Sequence, residues 1–216
     1  MMPRHHVADD LLLGYAAGSL AEGWSLAVAT HLSFCADCRA RLAAAEAIGG
    51  HLLDSAAAAT LDEASWATVR ARLSTAQAGL VPQAQQPGTA ILPRPLREYL
   101  GGDLETVGWK VIGTAGAQFR LRTGDRETQV RLLKIRAGQP VPEHGHRGRE
   151  LTVVLSGAFR DGENLFGPGD IEDADSDLEH IPTATPEQDC ICLAVTDAPL
   201  RFKSWLVRAL QPILGI

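Results

Sequence analysis

The pattern of apolar and polar positions changes character once along the chain. In the first third, apolar residues recur at helical spacing. Asp9-Asp10 can open a helix through Leu11, Leu12, Tyr15 and Ala16 that stops near Gly18, because short acidic side chains favour a helix start and glycine its end. A second helix is expected over residues 22–32 and a third from Ala36-Asp37 through Arg41, Ala45 and Ile48 to Gly49-Gly50. A fourth begins at Asp62 and carries Trp66, Val69 and Leu73 at helical spacing. Residues 80–95 have no periodicity, and Pro82, Pro87, Gly88, Pro93 and Pro95 among glutamines predict a linker rather than a helix or a central strand. Beyond it, short runs rich in Val, Leu and Ile at 109–112, 118–122, 130–135 and 151–155 alternate with glycine- and proline-containing turns. That is the pattern of a sandwich or barrel. The expected fold class is therefore α+β and multidomain: a small four-helix module over residues 1–80, a Pro/Gln-rich linker over 81–95, and an antiparallel β-barrel over 96–216.

Composition narrows the function classes. The chain has 216 residues, of which 45 % are hydrophobic, and this is ordinary for one large or two small globular domains. The net charge is -6, and both halves are mildly acidic, so neither offers the basic surface that phosphate contacts require. Any action on transcription would then run through a protein partner, with no direct nucleic-acid contact. No stretch approaches the roughly 18 uninterrupted apolar residues of a membrane helix. The opening Arg4-His5-His6 lacks the apolar core of a signal peptide, so a cytoplasmic location is expected.

The four cysteines fall in two close pairs, Cys35/Cys38 and Cys190/Cys192. Thiol pairs near histidines in a cytoplasmic chain point to metal or redox chemistry more than to structural disulfides. His31, Cys35 and Cys38 have the spacing H-x3-C-x2-C. A CxxC where one helix gives way to the next sets two sulfurs around one point, the helix start favours thiolate, and His31 lies one turn back. Zinc completes a tetrahedron with a fourth ligand, and His5, His6 and His51 are the histidines available in this half. Without a βαβ pattern around them, the thiols do not suit a thioredoxin-like pair.

A second constellation reads G-x5-H-x-H-x3-E-x6-G from Gly138 to Gly157, with His144, His146 and Glu150 at its fixed positions. His144 and His146, two apart on an extended strand, point to one side, and Glu150 can rejoin them from the next strand. The turn Gly167-Pro168-Gly169-Asp170 follows, and His180 lies ten residues beyond it. Cys190 and Cys192 sit on an apparent strand with side chains on one face and Cα atoms about 7 Å apart, at the edge of disulfide reach. They read as two small strand residues, with a sensing or oxidation role as the alternative.

The first segment resembles the zinc-binding anti-sigma domain over residues 1–78. The resemblance implies His6, His31, Cys35 and Cys38 as zinc ligands and a fourth helix, here with Trp66, Val69 and Leu73, that docks on a sigma factor. Ordinary core packing is the competing reading of that helix. The second segment matches the first cupin motif and the turn of the second, although Asp175, Asp177 and Ala184 replace the Pro, Gly and Asn common there. The cupin resemblance implies His144, His146, Glu150 and His180 as ligands of a second metal. Zinc is expected, and Mn2+ or Fe2+ also suits three histidines and a carboxylate. Together the two halves resemble the ChrR family of anti-sigma factors. Residues 156–161, Leu178-Glu-His180 and 196–202 add to the match. What this implies is a non-enzymatic regulator that sequesters a group IV (ECF-type) sigma factor as a 1:1 heterodimer and releases it through the cupin in response to singlet oxygen or related oxidants. A cupin metal-dependent dioxygenase with an accessory zinc domain is the alternative from another class, and a structural zinc scaffold is the blandest one.

Overall fold

A computed structural model describes residues 2–75 and 91–203. Four helices form the first part: α1 (Asp9–Ala16), α2 (Glu22–Phe34), α3 (Ala36–Asp54) and α4 (Glu63–Thr75). The acidic pair Asp9 and Asp10 occupies the first turn of α1, where the helix dipole favours it. Asp62 caps α4 through the Ala64 amide at 3.0 Å. Helix α3 runs through Gly49-Gly50, where the sequence suggested an end. The two glycines are exposed and helical, and the chain turns only after Asp54, where the Ser55 hydroxyl donates to the His51 carbonyl.

Of the proline-rich stretch, residues 80–90 lie outside the described residues. Its last residues are structured: Leu92 is buried, and α5 (Arg94–Leu100) begins over Pro95, a position at the first helical turn where a missing N–H costs nothing. Among the described residues twelve strands follow: β1 (Lys110–Ile112), β2 (Gly116–Leu121), β3 (Gln129–Ile135), β4 (His144–Gly145), β5 (Glu150–Ser156), β6 (Phe159–Asp161), β7 (Asn164–Phe166), β8 (Ile171–Ala174), β9 (Glu179–His180), β10 (Thr183–Ala184), β11 (Cys190–Thr196) and β12 (Arg201–Phe202). They form an antiparallel six-stranded sheet in the order β1-β2-β3-β11-β5-β8 and two three-stranded sheets, β10-β6-β7 and β12-β4-β9. This is a cupin-like sandwich, not a closed barrel.

The apolar runs of β5 and β11 are continuous because both faces of the large sheet are covered. On one face Leu151, Val153, Leu155, Ile191, Leu193 and Val195 join Leu26, Ala27 and Val28 of α2 and Leu96 of α5 in a single cluster. On the other face Val154, Cys190 and Cys192 pack with Phe159, Phe166 and Ala184 of the small sheet. The alternation of strand side chains thus feeds two different layers. Helix α2 lies so close to β3 that a Cβ at Gly23 would come within 2.8 Å of Val130 Cγ2. Its first turn is held by the loop before β3, where the Gly23 amide donates to Asp125 Oδ2 at 3.0 Å, and by α5, whose Tyr99 hydroxyl donates to Glu22 at 2.6 Å. The helical part and the sheet therefore share one core, a feature absent from the sequence reading of two modules on a linker.

Candidate metal centres

The first centre is built where α2 ends and α3 begins. Cys35 is extended, accepts the Cys38 amide at 3.3 Å and starts α3, so the CxxC folds both sulfurs to one side. The N-terminal arm brings His6 back over them, with Nδ1 3.3 Å from Cys35 Sγ and 3.5 Å from Cys38 Sγ. His5, its neighbour and the other candidate in the arm, instead packs at a tilt against Phe166 with ring centroids 4.1 Å apart. His51 is exposed near the far end of α3. Donor atoms of His6, His31, Cys35 and Cys38 all lie within 4.8 Å of one another.

The chemistry of these donors fits a cation. His31 is fully buried, and its Nδ1 is 2.7 Å from the Gly169 carbonyl oxygen, so Nδ1 carries the proton and Nε2 a bare lone pair. Nε2 is buried with no hydrogen-bond partner, which is costly unless something accepts its electrons. Burial pushes His31 down to about 4, so the ring is a neutral donor at pH 7. Burial also pushes the Cys38 thiol up, and a bound cation would be what favours its thiolate. Arg41 donates to Cys38 Sγ at 3.6 Å and pairs with Asp9.

The second centre lies between the large sheet and the two small ones. Strand pairing sets His144 opposite His180 across β4 and β9, and His146 follows two residues on. The Nε2 atoms of His144 and His146 are each 3.1 Å from Nε2 of His180. His144 Nδ1 donates to the Pro142 carbonyl at 2.9 Å, and His180 Nδ1 donates to Asp161 Oδ2 at 2.9 Å. Both rings thus turn unprotonated nitrogens toward each other, a repulsive arrangement that a cation resolves. Burial lowers His144, which keeps it neutral.

Glu150, expected as the fourth ligand, stands to one side of this point. Its Oε1 accepts from Thr152 at 3.1 Å and its Oε2 lies 3.3 Å from the other ring nitrogen of His146. Burial alone would raise its carboxyl, but His146 and His144 hold it below the usual value. Two carboxylates that the sequence reading passed over surround His180: Asp161, and Glu172 at 3.9 Å. Burial, with Asp161 next to it, raises Glu172 to about 8. Asp161 ends β6 and Glu172 sits two residues past Asp170, so only strand pairing brings them to the histidine.

A cavity of about 70 Å3 adjoins this cluster, walled by Leu133, Ile135, Phe159, Pro182, Cys190 and Cys192. The two sulfurs are 3.4 Å apart. Pairing with β5 shifts register between Ile191 and Cys192. The residue skipped in that shift is Leu155 of β5, whereas β11 pairs without a break with β3, so Cys190 and Cys192 share one face of the strand as the two-residue period predicts. The Cys190 sulfur and burial push the Cys192 thiol well above its ordinary value, so it stays protonated. On α4, Trp66, Val69 and Leu73 are exposed, at 67 %, 45 % and 65 %, so they do not form the core of the described residues. Ile48 of α3, read as part of that helix's pattern, is also exposed, as are Leu52 and Leu53. No helix among the described residues is long and apolar enough to cross a membrane.

Residues 99–199 match the family described as a ChrR cupin-like domain. Over 221 aligned residues, the whole of both chains, the sequence is 51 % identical to a protein named anti-sigma-E factor ChrR from Cereibacter sphaeroides. The fold superposes with a TM-score of 0.79 on the crystal structure of Rhodobacter sphaeroides SigE in complex with the anti-sigma ChrR. Sequence identity there is 50 %, covering 91 % of this chain and all of that one.

Proposed function

Because the chain belongs to the ChrR family of anti-sigma factors, we propose that it sequesters a group IV (ECF-type) sigma factor in a 1:1 complex. Its role is regulatory rather than catalytic. The helical part, residues 1–80, holds the sigma factor in the cytoplasm, and the cupin part, residues 96–216, governs release in response to singlet oxygen or related oxidants.

The observation that carries this reading is the apolar row left in solvent on α4. Trp66, Val69 and Leu73 lie at helical spacing and stay largely uncovered, which marks a partner surface. The metal of the helical part is held by His6, His31, Cys35 and Cys38, and we take it to be Zn2+. It cross-links the arm, α2 and α3, whose small size leaves little apolar burial of their own. In the cupin, His144, His146 and His180 hold the second ion, with Glu150 as the further ligand. Zn2+ suits this set, and Mn2+ or Fe2+ would also be accepted. An ion there would supply a Lewis-acidic centre beside the cavity that Cys190 and Cys192 line as buried thiols. Any signal must act by binding or modifying the free and sigma-bound states unequally.

The test is co-expression with an ECF-type sigma factor, followed by co-purification, elemental analysis and in vitro transcription. A 1:1 complex with two metal ions per inhibitor, unable to support transcription until treated with oxidant, is expected. A chain that leaves sigma-dependent transcription unchanged refutes the reading.

A further inference from the structure

We propose that the Gly167-Pro168-Gly169-Asp170 turn of the cupin part is the outer support of the helical part's metal centre, so that metal affinity there and the seating of the cupin on the helices are coupled. The proposal rests on the reading that His6, His31, Cys35 and Cys38 hold a metal.

The turn reaches that centre from two directions. Its Gly169 carbonyl accepts from His31 Nδ1 at 2.7 Å, which fixes the ring's tautomer and leaves the buried Nε2 as its donor to the cluster. Asp170, 5 % exposed, uses Oδ1 to accept the amides of Arg4 at 2.5 Å and His5 at 2.9 Å. Those are the two residues before His6, so the carboxylate holds the arm that carries this donor. Its Oδ2 accepts the Gly167 amide at 2.7 Å and keeps the turn closed. The Ile171 amide adds a bond to the His5 carbonyl at 3.4 Å.

The fit is tight. Gly169 has φ +90, which favours glycine, and a Cβ there would meet Phe34 Cβ at 2.6 Å and Pro3 Cγ at 2.9 Å. The turn is thus wedged between the end of α2 and the arm. It is also bonded to β5, the strand that begins at Glu150. Gly169 N donates to the Val154 carbonyl at 2.8 Å, and Val154 N donates to that of Asp170 at 3.0 Å. A partner that orients a ligating histidine ordinarily contributes about 10- to 100-fold in metal affinity. Linkage makes the effect mutual: what unseats the turn weakens the metal, and metal loss loosens the turn.

The experiment uses the full chain loaded with Co2+. The sulfur-to-cobalt charge-transfer band reports the thiolate site and is silent on a nitrogen and oxygen site. Asp170→Asn places an N–H donor against backbone N–H donors, and Gly169→Ala drives a methyl into Phe34. A chelator titration should remove the band from both variants at about 10-fold lower chelator or less. Retention within twofold of the parent chain overturns the coupling. Absence of the band from the parent chain overturns instead the metal reading beneath it. If a variant loses its fold by circular dichroism, the reverse direction decides: hydrogen exchange over residues 165–172 should quicken in Cys38→Ser relative to the metal-loaded parent. Equal exchange there also refutes the proposal.

Discussion

Gly23→Ala tests whether the helices are seated on the cupin sheet as described. In an exposed helix interior, replacing glycine by alanine stabilises by about 0.5–1 kcal/mol, because glycine has more backbone entropy to lose. Gly49 and Gly50 are such positions: they lie within α3, are exposed, and a Cβ on either meets nothing within 4 Å. Gly23 is also helical but buried, and its Cβ would overlap Thr128 Oγ1 and approach Val130 Cγ2 to 2.8 Å and Thr128 Cβ to 2.9 Å. Forcing a methyl into a packed contact costs about 1–3 kcal/mol. With two rigid β-branched neighbours the upper half of that range applies, and after the propensity gain the net loss is about 1–2.5 kcal/mol. At about 2–4 °C per kcal/mol for a chain of this size, Gly23→Ala should lower the melting temperature by about 2–10 °C. Gly49→Ala and Gly50→Ala should each raise it by about 1–4 °C. Circular dichroism melts of the metal-loaded chain compare the three. If Gly23→Ala raises the melting temperature as the others do, α2 does not lie on β3 and the shared core is wrong.

Trp66→Ala should leave stability within about 0.5 kcal/mol, since the ring is exposed. It should weaken sigma binding about 30-fold or more by isothermal titration calorimetry, as loss of a buried aromatic anchor does; unchanged affinity would remove α4 from the interface. His31→Ala should reduce bound metal from two ions per chain to one, whereas His144→Ala should empty the other site; elemental analysis that finds both ions retained in either variant contradicts the ligand assignment. The hydrogen bond to Glu22 pushes Tyr99 up to about 12. A raised folded value means that the bond's contribution is whole below the ordinary value near 10 and fades as pH climbs toward 12. Urea midpoints at pH 8 and pH 12 should therefore converge between the parent chain and Tyr99→Phe, and a constant gap would argue against the bond.

Local spacing determined much of this protein before any fold was considered. H-x3-C-x2-C keeps three donors close around one helix junction, because His31 lies one turn before Cys35 and Cys38 lies in the first turn of the next helix. The two-residue period of a strand does the same for His144 and His146. The apolar repeat of α4 was equally legible, although spacing cannot say whether Trp66, Val69 and Leu73 face a core or a partner. Only the surroundings of α4, which leave all three uncovered, speak against the core reading.

What tertiary structure alone decided are contacts between residues far apart in the chain. Asp170 meets the Arg4 amide 166 positions away, and the Gly169 carbonyl meets His31 138 positions away. No period encodes such pairs, because they depend on which face of the sheet the helices cover. The same holds for Asp161 and Glu172 around His180, which come from strands whose pairing is not written in either one. Local geometry follows from the backbone's few allowed conformations and is readable residue by residue. Docking follows from burying the outer face of a sheet whose alternate side chains are apolar on both sides, and that is settled only when the layers meet.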